Sequence, residues 1–333
     1  MKISASVYSD KNRTLAETID DLVKHQVDML HVDCKDDLSV LEDVKLMQAL
    51  CDLPIDLHII TSEPEKFFEP LRQLHLDYVT FQFEDLGRQV FFPKDIAKEL
   101  GLAIVTPTDV AVFELYPDMD FILMMATIPG ESGGKFDAYN FQKIRRFKKM
   151  FPNKAIHVDG GVNGEVSFIL RNMGVRASVS GSFLFNSASI GQALMDLTKR
   201  EVESQFKISD FMVPIEECPG VEKENMTFLG VLQSIDKGGL GYTMVLEDGR
   251  FCGIISNADI RRGLIRLNGE LPKENLEVFI NPNPITIGAN DNVTDLLSVV
   301  KKVPFPVLYL PVIDADENAV GAVTFFDLIK GET

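Results

Sequence analysis

The chain has 333 residues, of which 45% are hydrophobic and 25% charged, so it is long for one hydrophobic core and favours two domains. Its formal net charge of −17 argues against nucleic acid or an anionic membrane as partner, because phosphate binding needs clustered lysine and arginine. No run approaches the roughly 20 apolar residues of a membrane span. The first residues, MKISASVYSD, resemble a strand rather than a signal peptide, and the four scattered cysteines lack a CxxC motif, so we expect a cytoplasmic protein with reduced thiols.

From the first residue to about residue 200, strand-like apolar runs alternate with amphipathic segments. The strand-like runs are ISASVY, MLHVD, IDLHII, YVTFQF, LAIVTP, FILMMA, AIHVDG and ASVSG. The helical segments are RTLAETIDDLVKHQ, SVLEDVKLMQALC, PEKFFEPLRQLH, PKDIAKELG, YNFQKIRRFKKMF, GEVSFILRNMG and ASIGQALMDLTKR. This alternation predicts an α/β fold, a (β/α)8 TIM barrel over residues 1–202, with a doubly wound open sheet as the alternative. Both folds bind ligands at the carboxyl ends of their strands.

Residues 203–333 form a second predicted domain, in which one unit occurs twice, at about residues 207–268 and 274–333. Each repeat is predicted to contain a helix, a strand, an acidic turn (LEDGR or DADEN), a second strand and a short helix. The second strands end in comparable tetrads, Ser256-Asn257-Ala258-Asp259 and Thr324-Phe325-Phe326-Asp327. Such a duplication predicts a pseudo-symmetric pair of modules with a groove between them.

Histidines and aspartates recur at the ends of three predicted barrel strands. The candidates, each pair on one face of its strand, are His31 and Asp33 on the second, Asp56 and His58 on the third, and His157 and Asp159 on the seventh. Two histidines with two carboxylates predict a divalent metal site, with zinc, iron, manganese and cobalt left open. A single buried histidine would be better explained as a core residue, but several near aspartates at strand ends favour the site.

Glycine-rich turns follow the last three predicted strands. They are Pro129-Gly130-Glu131-Ser132-Gly133-Gly134, Asp159-Gly160-Gly161 and Gly181-Ser182. Barrels often bind phosphate with such loops, because exposed backbone N–H groups attract an anion. Tight turns are the alternative explanation for each, but three in succession favour a phosphorylated substrate. A bound cation would polarise its carbonyl, and two carboxylates could move protons on opposite faces of an enediolate.

Six segments of the barrel resemble ribulose-phosphate 3-epimerases: ISASVYS, HVDCKD, DLHIITSEPE, MMATIPGESGGKF, HVDGGV and SGSFLF. The resemblance implies metal ligands at His31, Asp33, His58 and Asp159, with Asp33 and Asp159 also the acid/base pair at C3. It implies that the substrate is bound by Ser6, Met125, Gly130, Gly133, Gly160, Gly161, Gly181 and Ser182. The implied reaction is metal-dependent 3-epimerisation of a ketose phosphate, D-ribulose 5-phosphate to D-xylulose 5-phosphate or a close relative.

The chain departs from this family at two loops. Asp33-Cys34-Lys35-Asp36-Asp37 replaces Asp-x-Met-Asp-Gly and a longer loop, and Ile128-Pro129-Gly130-Glu131-Ser132-Gly133-Gly134 replaces Asn-Pro-Gly-Phe-Gly-Gly-Gln. Lys35 brings a cation where the family has a thioether, so we include it among the substrate-binding residues and leave a different or larger ketose phosphate open. Lys35 beside acidic residues also resembles, without their spacing, the Asp/Lys arrays of orotidine-phosphate decarboxylase and hexulose-phosphate synthase. The alternative function is a sensor that binds sugar phosphate without turnover.

The duplicated tail resembles a cystathionine-β-synthase (CBS) domain pair, and KGGLGYTMVLEDGRFCGIISNADIRRGL is similar to the pair attached to arabinose-5-phosphate isomerases. In such pairs a Ser/Thr-x-x-Asp offers a hydroxyl and a carboxylate to the ribose of a nucleotide. The resemblance implies that an adenine nucleotide contacts Ser256, Asp259, Arg261, Arg262, Thr324 and Asp327. Helix capping is the alternative for each tetrad, and dimerisation is the alternative role of the pair. We expect a homo-oligomer, a dimer through the CBS pair or the barrel.

Overall fold

The computed structural model describes residues 1–127, 134–198, 205–272, 276–303 and 307–325. Within them the chain divides into two compact units, residues 1–198 and residues 205–325. The predicted domain boundary between residues 202 and 203 lies outside the described residues, so it stays a prediction.

The first unit is built on eight parallel strands that close into a barrel in chain order, which confirms the predicted (β/α)8 fold and excludes the open sheet. Its strands are β1 (Lys2–Ser6), β2 (Met29–Lys35), β3 (Ile55–Ile60), β4 (Tyr78–Gln82), β5 (Glu99–Val105), β6 (Phe121–Met125), β7 (Ala155–Asp159) and β8 (Ala177–Ser180). Its α-helices are α1 (Leu15–Lys24), α2 (Val40–Leu50), α3 (Glu65–Arg72), α4 (Tyr139–Met150), α5 (Gly164–Asn172), α6 (Ser182–Phe185) and α7 (Ile190–Thr198).

The helical layer is thin beside β4 and β5. The helix predicted for PKDIAKELG is wrong, because residues 86–98 contain no helix and β5 begins at Glu99. The N–H groups of Lys98 and Glu99 donate instead to the carbonyls of Leu76 and Asp77. A helix this short has marginal stability by itself, so backbone hydrogen bonds to the residues before β4 decide the conformation of this segment. Between β5 and β6 the connection contains only a 3₁₀ helix, Val110–Leu115.

The register of the strands decides which side chains line the barrel. Paired residues of parallel strands face the same side, and Ser6 pairs with His31, His31 with Asp56, and Asp33 with His58. On the opposite wall Ala103, Leu123 and Met125 form a small apolar cluster. The barrel interior is therefore polar along β1–β4 and β7 and apolar along β5 and β6. The remaining strand residues face the helices and form the main core.

A stacked group closes the amino end of the barrel. The ring of His157 lies on Phe121 with a centroid separation of 4.2 Å. The Nε of Arg176 donates to His157 Nε2 at 3.0 Å, and its Nη2 pairs with Glu99 at 2.6 Å. The Nε2 of His157 is thus held by Arg176, one inward position below Asp159 on β7.

The second unit contains two sheets. Its elements are α8 (Ile208–Phe211), β9 (Val213–Pro214), β10 (Gly220–Glu222), α9 (Phe228–Gly238), β11 (Tyr242–Glu247), β12 (Arg250–Ser256), α10 (Asn257–Arg266), β13 (Ile287–Gly288), α11 (Val293–Lys302), β14 (Tyr309–Ile313) and β15 (Ala319–Thr324). The strand orders are β10-β11-β12 and β13-β14-β15-β9. Each repeat places an antiparallel hairpin, β11–β12 or β14–β15, after a helix, in the order that the sequence predicts.

Candidate metal and catalytic site

Two histidines and two aspartates converge at the carboxyl end of the barrel. One side-chain ligand atom from each of His31, Asp33, His58 and Asp159 lies within 4.8 Å of the other three. His31 Nε2 is 3.3 Å from Asp33 Oδ1 and 3.8 Å from Asp159 Oδ2, and His58 Nδ1 is 3.2 Å from Asp33 Oδ1. Both histidine side chains are fully buried, whereas those of Asp33 and Asp159 are 22% and 17% exposed. The structure thus brings together the four residues that the sequence suggested as ligands.

This group of four side chains fits a divalent cation. His31 Nε2 is buried and makes no hydrogen bond within the described part of the chain, although carboxylate oxygens face it. Two imidazoles and two carboxylates suit zinc, iron, manganese or cobalt. A cation among these atoms would satisfy the buried nitrogen and reduce the repulsion between the carboxylates.

Asp56 orients His31 from below. Its Oδ2 lies 2.9 Å from His31 Nδ1, and both side chains are fully buried. The carboxylate accepts the Nδ1 hydrogen, so Nε2 is the nitrogen that faces the cluster. The residue pattern of the third strand left both Asp56 and His58 as candidate metal ligands. The register places Asp56 level with His31, one inward position below His58, so the two have different partners.

The crowded charges move the pKa values of the two carboxyls in opposite directions. Burial raises the pKa of Asp159 to about 6, and the charge of Asp33 adds to this, against the lowering effect of His31. Burial acts to raise the pKa of Asp33 as well, but contacts with His31 and His58 outweigh it, so its pKa is lowered. Burial acts to lower the pKa of His31, yet Asp56 and Asp33 raise it above its usual range. Two carboxyls with separated pKa values can hold different protonation states at one pH, which is the arrangement that acid/base pairs use.

Gly181 allows close contact between the loop after β8 and the end of β1. A Cβ atom on Gly181 would lie 2.2 Å from Ser9 Oγ and 3.3 Å from Ser6 Cβ. Ser9 Oγ donates to Ser6 Oγ at 3.1 Å, and Ser182 begins the short helix α6 directly afterwards. Ser6, Gly181 and Ser182 therefore lie close together where β1 and β8 end. Ser9 was missed by the sequence reasoning.

Gly160 and Gly161 have a packing role beside any contact with substrate. Their φ angles are +107° and +66°, and a Cβ on Gly160 would lie 2.3 Å from Thr127 Oγ1. A Cβ on Gly161 would lie 2.2 Å from the backbone nitrogen of Phe136. The turn after Asp159 can approach the neighbouring loop only with glycine at both positions. Gly130 and Gly133 lie outside the described residues, and Met125 is buried level with Asp159 on the adjacent strand.

The short loop after β2 is anchored to the loop after β3. Lys35 is exposed and has the same strand parity as His31 and Asp33, which directs it to the mouth of the barrel. Asp36, with φ +55°, accepts a hydrogen bond from Thr61 Oγ1 and pairs with Lys66 Nζ at 2.7 Å. These contacts hold the backbone next to Lys35. Sequence reasoning missed Thr61 and Lys66, since only the β2–β3 pairing brings them near.

In the second unit, the predicted nucleotide-binding residues of the first repeat cap a helix. The N–H and Oγ–H of Ser256 donate to Asp259 Oδ2 at 2.9 and 2.5 Å, and the N–H of Asp259 donates to Ser256 Oγ at 3.2 Å. Asp259 Oδ1 pairs with Arg262 at 2.5 Å. The capping explanation therefore accounts for both residues. Arg261 is exposed, Thr324 ends β15, and Asp327 lies outside the described residues.

The barrel and part of the tail match known families. The model of the ribulose-phosphate 3 epimerase family matches residues 2–185, and that of the CBS domain matches residues 276–332. Ribulose-phosphate 3-epimerase of Bacillus subtilis is 27% identical over 212 residues, covering 59% of this chain and 98% of its own. The enzyme of that name from Methanocaldococcus jannaschii is 29% identical over 231 residues, covering 64% and 95%.

Solved structures of CBS proteins also resemble part of the chain. The crystal structure of CBSX2 in complex with AMP covers 38% of this chain and 96% of its own, with 19% identity and a TM-score of 0.32.

In the described part of the sequence, no helix has the length and hydropathy that crossing a bilayer requires. The chain belongs to the ribulose-phosphate 3-epimerase family and is an epimerase, an isomerase-class enzyme, with a CBS domain following its TIM barrel.

Proposed function

We propose that the barrel catalyses metal-dependent epimerisation at C3 of a ketose phosphate, D-ribulose 5-phosphate to D-xylulose 5-phosphate or a close relative. The observation that carries the proposal is the convergence of Asp33 and Asp159 on His31 and His58 within 4.8 Å. The names of the similar enzymes support the substrate class.

Inversion of C3 requires a proton to leave one face of the carbon and another to arrive on the opposite face. Asp33 and Asp159 lie at the ends of β2 and β7, which are separated by β8 and β1, so a carbon between them has one carboxyl on each side. The ionised carboxylate of one aspartate accepts the C3 proton, and the electron pair of the broken C–H bond enters an enediolate over C2 and C3. The protonated carboxyl of the other aspartate then donates its proton to the opposite face of C3. The two groups exchange roles in the reverse reaction.

His31, Asp33, His58 and Asp159 would hold the cation. A divalent cation bound there supplies positive charge that stabilises the enediolate oxygens. Asp56 keeps the imidazole of His31 oriented for this purpose through its 2.9 Å contact.

Recognition of the rest of the substrate is assigned to the loops around the mouth. Ser6, Gly181 and Ser182 form one neighbouring group, and Gly160 and Gly161 form the adjacent turn. Gly130 and Gly133 belong to the same proposed set, with Met125 on the reacting face. Lys35 adds an exposed cation at the mouth. We therefore include ketose phosphates larger or more acidic than ribulose 5-phosphate among the substrates to be tested.

The test is NMR of ribulose 5-phosphate and other ketose phosphates in deuterated buffer, with metal-depleted protein to which single divalent metals are returned. We expect deuterium at C3 together with the epimer. Asp33→Asn and Asp159→Asn should each slow epimerisation by about 10²–10⁴-fold, whereas Asp118→Asn, a surface carboxylate paired with Lys94, should not. Normal exchange together with normal epimerisation by Asp159→Asn would refute the mechanism. Binding without any deuterium incorporation by the wild-type protein would establish the sensor alternative.

For the tail we infer a regulatory role in which an adenine nucleotide binds near Ser256, Asp259, Arg261, Thr324 and Asp327. The match to the CBS domain and the exposure of Arg261 support this. Because Asp259 is already occupied by Ser256 and Arg262, the ligand would have to compete with the helix cap. Calorimetric titration with AMP, ADP and ATP should show binding that Arg261→Ala weakens. If no nucleotide gives a heat of binding, dimerisation remains as the role of the tail, and sedimentation would test it.

The homodimer and the cytoplasmic location stay predictions.

A further inference from the structure

A chain of hydrogen bonds leads from His58 to the mouth of the barrel. His58 Nε2 is 2.8 Å from Oε1 of Gln82, the last residue of β4, and Gln82 is only 1% exposed. Gln82 Nε2 donates to Glu84 Oε2 at 2.5 Å. The other oxygen of Glu84 accepts the N–H of Val105 at 3.0 Å and the hydroxyl of Thr108 at 2.5 Å. Gln82 and Glu84 therefore connect a candidate metal ligand to the end of β5.

The donors and acceptors available fix the direction of each hydrogen bond from His58 through Gln82 to Glu84. An ionised carboxylate only accepts hydrogen bonds, so the amide nitrogen of Gln82 has to face Glu84. The amide oxygen of Gln82 then faces His58, and since it only accepts, His58 Nε2 has to carry a hydrogen. The nitrogen left with a lone pair for a cation is Nδ1, which lies 3.2 Å from Asp33.

We propose that Gln82, held in place by Glu84, is a positioning residue that fixes the ring orientation and the tautomer of His58 for cation binding. The inference rests on the proposed metal site and extends it to residues whose side chains are outside the cluster of four. The two histidines are supported differently. His31 is oriented by the single carboxylate of Asp56, whereas His58 is oriented by a neutral amide that has two possible orientations and needs Glu84 to select one.

The first test compares Gln82→Met with Thr80→Val. Methionine has about the length of glutamine but offers His58 no oxygen acceptor. Thr80 is a matched control: it is fully buried, pairs with His58 in the β3–β4 register, and its hydroxyl has no hydrogen-bond partner in the described part of the chain. Zinc affinity, measured by competition with a chromophoric chelator, should fall about tenfold or more in Gln82→Met and stay unchanged in Thr80→Val. Equal affinity of wild type and Gln82→Met would overturn the inference.

A charge swap tests the role of Glu84. In Glu84→Gln the new amide has one oxygen and cannot accept from both Gln82 and the Val105–Thr108 side, so Gln82 is free to turn its nitrogen toward His58. The double variant Gln82→Glu/Glu84→Gln restores every donor–acceptor pair with the carboxylate moved by two residues. Zinc affinity should fall about tenfold in the single variant and return to within about threefold of wild type in the double variant. If the double variant binds zinc no better than the single one, the role of Glu84 in holding Gln82 is rejected.

A spectroscopic measurement separates positioning from general damage to the fold. In zinc-loaded protein labelled with ¹⁵N at its five histidines, the Nε2 hydrogen of His58 should exchange slowly with solvent. It should exchange fast in Gln82→Met and slowly in Thr80→Val, with both variants showing wild-type circular dichroism. Slow exchange in Gln82→Met would contradict the proposal. If the wild-type protein binds no zinc, iron, manganese or cobalt, the metal site itself fails, which is a distinguishable result.

Discussion

Replacing Gly161 with alanine tests whether the turn after Asp159 depends on close backbone approach. The φ of Gly161 is +66°, and an added Cβ would lie 2.2 Å from the nitrogen and 2.7 Å from the Cα of Phe136. Gly87 provides a matched control, because its φ is +62° and an added Cβ would meet nothing within 4 Å. The two alanine variants therefore share the strain of a left-handed residue and differ in the clash.

The expected magnitudes follow from these two contributions. Left-handed backbone costs an L-residue about 1–2 kcal/mol, partly offset because alanine lowers the entropy of the unfolded chain. Gly87→Ala should thus lose about 1 kcal/mol. Gly161→Ala should lose a further ~1–3 kcal/mol, since the contacting atoms are backbone and the loop has to shift.

Urea denaturation and differential scanning calorimetry of the full chain measure both losses. For a unit of this size, the extra destabilisation of Gly161→Ala should lower Tm by about 2–12 °C below that of Gly87→Ala. A displaced turn also moves Asp159, so kcat/KM should fall by about tenfold or more in Gly161→Ala and remain near wild type in Gly87→Ala. Equal stability and equal activity of the two variants would refute the argument from backbone contact.

Three further predictions concern the barrel. Asp56→Asn keeps the shape but replaces a charge-assisted hydrogen bond to His31 with a neutral one, so chelator competition should show zinc affinity lowered about tenfold; unchanged affinity would contradict the orienting role. Burial lowers the pKa of Lys143 to about 8 from 10.5, while its Nζ donates to the Val105 carbonyl. Between pH 8 and pH 10.5 the unfolded chain then binds more protons at Lys143 than the folded chain does. The free energy of unfolding of wild type relative to Lys143→Met should therefore rise over this window by up to about 3 kcal/mol. A difference in unfolding free energy that does not change with pH would show an unperturbed lysine. Lys35→Met should raise KM for the ketose phosphate several-fold with kcat within about twofold, and a fall in kcat alone would point to proton transfer by Lys35.

The fold could be predicted because its signals are local. Apolar strand runs and amphipathic segments alternate along the chain, and each period depends only on neighbouring residues. The exception is PKDIAKELG, whose helical pattern is too short to form a stable helix alone. Its end pairs instead with the backbone that leads into β4. The tail tetrads were ambiguous for a similar reason, because the same Ser-x-x-Asp spacing serves a helix cap.

The sequence by itself placed three His/Asp pairs near the ends of predicted strands, since a strand's parity depends only on spacing along the chain. The resemblance to the epimerases then implied His31, Asp33, His58 and Asp159 as the ligands. The residue pattern without the resemblance left Asp56 and His58 both possible, and it did not show that His157 packs on Phe121 below Asp159. Those outcomes depend on the stagger between neighbouring strands, which is set when the barrel closes. The same register alone brings Gln82 of β4 against His58 of β3 and Glu84 against the end of β5. Tertiary structure thus decided how the predicted ligands are oriented, because orientation comes from hydrogen bonds between residues distant in the chain.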